Sequence, residues 1–376
     1  MIVMASVWIG FFAINPLFNK KTYKYYLIII TLVYSILAYN VVFTETMDIA
    51  RVAESMKYWY RNDFMWFINN KMDMDPLSSL YYYVIGLTGD VHLIPAISIL
   101  IIYGYSFALI DRVSKHFELN KMEMNICTFV FLSNFVFFYA MSNIRIYMCY
   151  AVISYYIYME LVEDKCHKIA IIFYIMAALF HYACIPFILI RVILIKYKKI
   201  TVPRLVLMLV LSIVLTQFEN ILAIINPSSG ILHTIYYKLT RYSRYDTFGI
   251  EYFVNSIIKV SGTILTYFTL KKSFGKFNVN DKRYIHYMSL SCIAFCLMIT
   301  NYQIVLRVPN LMISFWVVLM SMMFFYKRLS LKKEKCRYDV IVNNVKVIII
   351  YMCIVSILNI LFDCKYIIMR NMFFDF

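Results

Sequence analysis

The chain of 376 residues is 62% hydrophobic and 15% charged, with a mean hydropathy of +0.71 and a formal net charge of +16. Soluble domains carry roughly 25% charged residues, so this composition excludes an ordinary soluble domain and predicts a polytopic membrane protein. Eight Gly and seven Pro leave no linker-rich stretch, so we expect a single membrane-embedded domain over residues 1–376. The nine Cys include no CxxC pair, and neither a disulfide framework nor a zinc site is indicated.

Apolar runs that approach the length of a spanning helix recur along the chain. A helix needs about 20 mainly apolar residues to cross a bilayer. Ten runs qualify: 2–18, 25–43, 92–110, 124–141, 144–160, 204–225, 253–270, 284–300, 305–326 and 345–363. The sequence therefore predicts an all-α bundle with about ten full transmembrane helices.

Segment 169–195 differs from these runs. It is apolar, but basic residues lie at both ends and His181 and Pro186 interrupt it. We interpret it as a hairpin of two short helices that starts and ends on the same side of the membrane.

The basic residues distribute unevenly between the two sides that this topology defines. The loops at 19–24, 111–123, 161–168, 196–204, 271–283 and 327–346 hold 24 Lys and Arg, and the opposite loops hold 11. By the positive-inside rule the first set is cytoplasmic, which puts both termini outside. Much of the +16 is thus topological, and we expect no nucleic-acid partner.

Two long segments then lie outside, at 44–91 and 226–252. The first combines seven acids with many aromatics and predicts an interface-lying amphipathic segment followed by a short helix at DPLSSLYYYVIGL. The second carries Lys238, Arg241 and Arg244 at spacings of three, which places three cations on one helix face.

Four arginines are candidate ligands for a diphosphate on the outer side. Arg145 and Arg307 each begin an apolar run from that side, and Arg241 and Arg244 lie in the second outside segment. A guanidinium group binds phosphate oxygens in a bidentate manner and stays charged at any working pH. The alternatives are snorkelling to lipid headgroups for any of the four, and a solvated helix face for Arg241 and Arg244.

His181 is the candidate for handling a sugar hydroxyl, either by accepting its proton or by positioning it. A buried histidine hydrogen-bonded to a carbonyl is the alternative. Asp48 and Asp75 are further candidates, although acids in an outside loop are commonly just solvated. The chain has no Gly-rich phosphate loop and no metal-ligand cluster, so we expect metal-free chemistry and no cofactor.

The order of four short motifs over residues 44–326 resembles the EpsG/Wzy-type polysaccharide polymerases. The matching stretches are TMDIARVAE with Asp48 and Arg51 followed by DPLSSLYYYVIG with Asp75, SNIRIYMCYA with Arg145, AALFHYACIPF with His181, and LRVPNLMISFW with Arg307. The resemblance implies a GT-C-like helical fold and catalytic roles for Arg145, His181 and Arg307. It also implies substrate binding by Asp48, Arg51 and Asp75, with Arg241 and Arg244 beside them.

The resemblance further implies a location and a set of partners. The protein is expected in the bacterial inner membrane, with its active site on the periplasmic face. Undecaprenyl-diphosphate-linked oligosaccharide repeat units would be both donor and acceptor, membrane lipids would surround the helices, and a chain-length regulator is a possible partner.

Three other functions remain open from the sequence. A flippase or carrier for lipid-linked oligosaccharides would be expected to show an internal repeat, and none is evident. An O-antigen ligase would use the same donor with a lipid A core acceptor. A membrane acyltransferase is supported only by His181 and the outward arginines.

Overall fold

The computed structural model describes residues 2–43, 48–59, 62–71, 75–135, 137–196, 250–271, 277–297, 302–331 and 338–369. These residues fold into a bundle of helices, which confirms the all-α prediction for the described part of the chain. The α-helices are α1 (Ile2–Ile14), α2 (Tyr23–Tyr39), α3 (Asp48–Trp59), α4 (Phe64–Lys71), α5 (Pro76–Gly86), α6 (Leu93–His116), α7 (Lys121–Asn134), α8 (Phe137–Ser142), α9 (Ile144–Leu161), α10 (His167–Phe180), α11 (Ile185–Lys196), α12 (Ile250–Lys271), α13 (Val279–Leu297), α14 (Tyr302–Leu331) and α15 (Tyr338–Met369).

Helix α6 combines the length and the hydropathy that a membrane crossing needs, and among the described helices it alone meets both criteria. Five shorter apolar stretches accompany it. The count of about ten full spans therefore stays a prediction. The run at 204–225 and the second outside segment, 226–252, lie outside the described residues.

The predicted run 124–141 is not one helix. Helix α7 ends at Asn134, Phe135 leaves the helical conformation with ψ 87°, and α8 begins at Phe137. The side chains of Ser133 and Asn134 turn back onto the helix, because they donate to the carbonyls of Phe129 and Val130 at 2.6 and 2.8 Å. Such bonds compete with the backbone ladder and bend helices, but the same bond from Ser321 to the Val317 carbonyl leaves α14 unbroken, so they accompany the break without explaining it alone.

Helix α6 is the central packing element of the first half of the chain, where it lies against α2 and α9. The rings of Tyr34 and Tyr103 stack there with centroids 4.8 Å apart. In the second half α14 packs against α12 and α7. Gly262 permits the approach of α12 to α14, since a Cβ at this position would lie 2.7 Å from the Trp316 ring.

Segment 169–195 contains the two short helices that the sequence predicts, α10 and α11, separated by a 3-10 turn at Tyr182–Cys184. Glu160, at the end of α9, contacts both His167 at the start of α10 and Arg191 within α11. Near the other end, the rings of Tyr150 and Phe187 are 5.8 Å apart. Helix α11 therefore runs back alongside α9 toward the level at which α10 began.

Four of the six loops that the charge count groups together, 111–123, 161–168, 271–283 and 327–346, meet at one end of the bundle. Arg112 pairs with Glu163, His116 faces Asp281 at 3.6 Å, and Arg328 binds Glu123. We call this the Glu160 end. The opposite end, where α9 begins and α10 finishes, is the Arg145 end.

Candidate functional site

Arg145 lies in the first turn of α9 and pairs with Asp75, the residue before α5. The distance between Arg145 Nη1 and Asp75 Oδ2 is 3.0 Å. The Asp75 side chain is 4% exposed, whereas that of Arg145 is 41% exposed. Asp75 is thus too buried to be the solvated loop acid that the sequence left as an alternative. We interpret it as the residue that orients Arg145 rather than as a direct substrate ligand.

Asp75 is held by the start of its own helix. Pro76 at the first helical position sets the backbone for α5, as proline does at helix starts. The Asp75 carbonyl accepts hydrogen bonds from the backbone N–H groups of Ser78 and Ser79, both at 3.1 Å. The carboxylate that meets Arg145 is therefore mounted on a helix terminus rather than on a loop.

His181 ends α10 in an extended conformation, with φ −158° and ψ 116°. Its side chain is buried, and its Nδ1 accepts a hydrogen bond from the Ala183 N–H at 3.1 Å. A neutral imidazole whose Nδ1 is an acceptor carries its proton on Nε2. His181 is thus arranged to donate a hydrogen bond through Nε2, which favours positioning a substrate oxygen over removing its proton.

Arg145 and His181 lie at the same end of the antiparallel pair α9 and α10. The Cys149 thiol donates to the Ala177 carbonyl at 3.3 Å, which brings the two helices together at that level. Arg145 and His181 each lie four residues from this contact, or about 6 Å of helix rise, in the direction of the Arg145 end. The sequence-based expectation that they share one end of the bundle agrees with this arrangement.

The other predicted site residues are only partly described. Arg51 is exposed on α3, which packs against α5, so it lies on the helix beside the one that Asp75 begins. Asp48 begins α3 and Arg307 lies in the first third of α14, but their side chains are outside the described parts of the structure. Arg241 and Arg244 fall entirely outside the described residues.

A second charged cluster, which the sequence analysis missed, surrounds Glu160. This side chain is 0% exposed and Arg191, which binds it, is 11% exposed. His167 Nδ1 lies 3.1 Å from Glu160 Oε1, and the Tyr174 hydroxyl donates to Glu160 Oε2 at 3.0 Å. One carboxylate therefore connects α9, α10 and α11 at the end opposite Arg145. The sequence did contain a signal for this cluster, because Arg191 is an isolated charge inside an apolar run.

The two clusters have different chemical capacities. At the Arg145 end a partly exposed guanidinium is oriented by a buried carboxylate near a buried imidazole donor, an arrangement that can bind an anion from outside the bundle. In the Glu160 cluster, Glu160 and Arg191 are buried against one another. No family model, no curated protein and no solved structure matches this chain.

Proposed function

We propose that the chain is a multi-pass membrane protein of about ten spans with the GT-C-like arrangement that the motif order implies. Several helices present continuous apolar faces to the outside of the bundle. They include Ile28, Leu32 and Ile36 of α2, Ile171, Ile172 and Ile175 of α10, and Ile350, Ile354, Ile357 and Leu361 of α15. Soluble monomers rarely expose contiguous apolar patches of this kind, whereas lipid covers them without cost.

We infer that the protein is a polysaccharide polymerase that joins undecaprenyl-diphosphate-linked oligosaccharide repeat units on the outer face of the bacterial inner membrane. The observation that carries this proposal is the Arg145–Asp75 pair at the same end as His181. An oriented, accessible arginine at a membrane surface suits a lipid diphosphate, and the motif order supplies the class of reaction.

In the proposed reaction the bond between the donor's anomeric carbon and the diphosphate oxygen breaks. The acceptor hydroxyl oxygen bonds to that carbon, and its proton passes to the undecaprenyl diphosphate that leaves. Negative charge builds on the departing diphosphate, so Arg145, held by Asp75, lowers the barrier by offsetting that charge. Arg307 and the cations Arg241 and Arg244 are assigned to the same diphosphate, and Asp48 and Arg51 to the sugar units.

His181 is assigned to the acceptor side. Nδ1 accepts from the Ala183 N–H, and the Nε2 N–H is assigned to a substrate oxygen whose position it fixes. Correct placement of reacting atoms alone contributes a large share of many rate accelerations. No metal or cofactor is assigned a role.

The test is an elongation assay with purified protein in lipid nanodiscs and lipid-linked repeat units, with product length followed on a gel. Arg145→Ala is expected to lower elongation by about 10²- to 10³-fold, as removal of one transition-state hydrogen-bond donor does. Arg145→Lys should also be impaired, because lysine lacks the planar fork. The matched control is Arg112→Lys at the Glu160 end, which should elongate normally.

Three outcomes would overturn the proposal. Normal chain lengths with Arg145→Ala, in protein that is folded in the nanodisc, would remove Arg145 from the site. Transbilayer movement of the lipid-linked unit without elongation would favour a carrier, and transfer only to a lipid A core acceptor would favour a ligase.

A further inference from the structure

A cavity of about 120 Å³ lies between the peripheral helix α1 and the helices α2 and α7, at the edge of the bundle. Its walls are mainly aromatic and apolar, with amide and hydroxyl groups toward one end. The lining side chains that matter here are Trp8, Phe12, Asn15, Tyr23, Asn125 and Thr128. Phe12 is 60% exposed, so the cavity reaches the outer surface of the bundle rather than being closed within it.

The polar end of the cavity is built by pairing between the two sides. The side-chain amides of Asn15 and Asn125 bond reciprocally at 2.9 and 3.1 Å. The Tyr23 hydroxyl donates to Thr128 Oγ1 at 3.1 Å. These bonds fix the positions of the two walls relative to each other. The cavity is therefore a defined feature rather than a gap between loosely packed helices.

Cations surround this polar end. Lys121 Nζ donates to the Asn15 carbonyl at 3.1 Å, and Lys20 and Lys21 lie exposed in the turn that follows Pro16. No acid occurs before Glu45 in the sequence. On the facing segment, Glu123 is bound by Arg328, so Glu118 is the remaining acid there. Lys121 thus contacts a residue of the cavity's polar end, and Lys20 and Lys21 follow that end along the chain, although no lysine among the described residues lines the cavity itself.

We propose that this cavity binds one acyl chain of an anionic phospholipid, whose phosphate is held by Lys20, Lys21 and Lys121. An apolar cavity of about 150 Å³ holds the six carbons of benzene, so this smaller cavity holds only a few carbons of the chain, and the rest of the chain lies in the bilayer. The polar end belongs to the Glu160 end of the bundle, because Arg328 binds both Glu123 of α7 and the Phe117 carbonyl after α6. The lipid therefore comes from the leaflet on that side, the cytoplasmic one by the charge count.

This inference rests on the membrane location in the proposed function and not on the polymerase chemistry. The probe is quenching of Trp8 fluorescence in nanodiscs that contain equal fractions of dibrominated phosphatidylglycerol or dibrominated phosphatidylcholine. The Trp8 signal is the difference between the chain and its Trp8→Phe variant. We expect stronger quenching by the anionic lipid, and a loss of this preference by about fivefold for each of Lys20→Gln, Lys21→Gln and Lys121→Gln.

Two controls keep the experiment decisive. Lys115→Gln, an exposed lysine at the same end that pairs with Asp111, should leave the Trp8 preference unchanged. A reporter at Ile172→Trp on the exposed face of α10 should be quenched equally by both lipids. Equal quenching of Trp8 by the two lipids would overturn this inference alone. Failure of the chain to enter nanodiscs would instead overturn the membrane location.

Discussion

The two ends of the bundle use carboxylate–arginine pairs in opposite ways. At the Glu160 end both partners are buried, and the carboxylate also meets His167 and Tyr174. At the Arg145 end only the carboxylate of Asp75 is buried, and its arginine extends to the surface. The Glu160–Arg191 pair is shielded from solvent by the helices that carry it. In the Asp75–Arg145 pair the arginine can still reach an anion outside the bundle.

This difference separates stability from function. A buried carboxylate that satisfies a buried arginine cannot be removed without stranding a charge. A buried carboxylate that orients an exposed arginine can be removed with little loss of folding energy, because water solvates the cation. The same carboxylate-to-amide change should therefore have different consequences at the two ends.

The largest expected effect is that of Glu160→Gln. The change leaves Arg191 nearly buried without its counter-charge, and breaking a buried pair from one side costs about 3–5 kcal/mol. We expect a lower midpoint of thermal unfolding in detergent and less folded protein in the membrane. Elongation per folded molecule should change little, since Glu160 lies about 22 Å from Arg145 along α9 by helix rise.

The matched control is the double variant Glu160→Gln with Arg191→Met. It removes both charges and keeps an acceptor for Tyr174, so most of the lost stability should return. An unfolding midpoint that is unchanged in Glu160→Gln, or no recovery in the double variant, would show that this pair does not hold the three helices together.

The Glu160 cluster also shows which part of the structure the sequence could not predict. Apolar run lengths predicted the helices, and the interruption at His181 and Pro186 predicted the two short helices of 169–195. Arg191 and Glu160 are 31 positions apart, and neither periodicity nor composition pairs residues at that separation. The pairing depends on α11 running back alongside α9, and only the tertiary structure shows that arrangement.

The candidate site shows the same division. The sequence placed Arg145 and His181 at one end, because the charge count fixed which ends of the helices lie together. It did not pair Arg145 with Asp75, since these lie 70 positions apart, and it assigned Asp75 to substrate binding instead. The break after Asn134 was missed because the run 124–141 contains neither Pro nor Gly and reads as uninterrupted.

Asp75→Asn is the counterpart of Glu160→Gln at the Arg145 end. It should lower elongation by about 10²-fold, because a misplaced guanidinium no longer meets the diphosphate correctly. Thermal stability should fall by about 1 kcal/mol or less, since Arg145 is accessible to water. If Asp75→Asn elongated normally and lost as much stability as Glu160→Gln, the Asp75–Arg145 pair would serve stability, as the Glu160–Arg191 pair does, and not function.

Arg328→Gln tests an intermediate degree of burial at the Glu160 end. The guanidinium is 30% exposed and binds both Glu123 and the Phe117 carbonyl, so it joins α14 to the α6–α7 turn. Hydrogen bonds to charged groups contribute about 1.5–3 kcal/mol, and solvent access reduces this to about 1 kcal/mol here. Chemical denaturation in detergent should resolve that loss. A loss of stability equal to that of Glu160→Gln would mean that burial does not determine how much each ion pair contributes to stability.

Lys115→Gln should have the smallest effect. Its side chain is 68% exposed and pairs with Asp111 one helical turn earlier on α6. Exposed pairs at this spacing contribute about 0.3–0.5 kcal/mol, and salt screens them. Denaturation at low and high salt should show a small difference from the unaltered chain that disappears at high salt. A loss of stability that persists at high salt would mean that Lys115 behaves like a member of a buried ion pair. That result would contradict its 68% exposure.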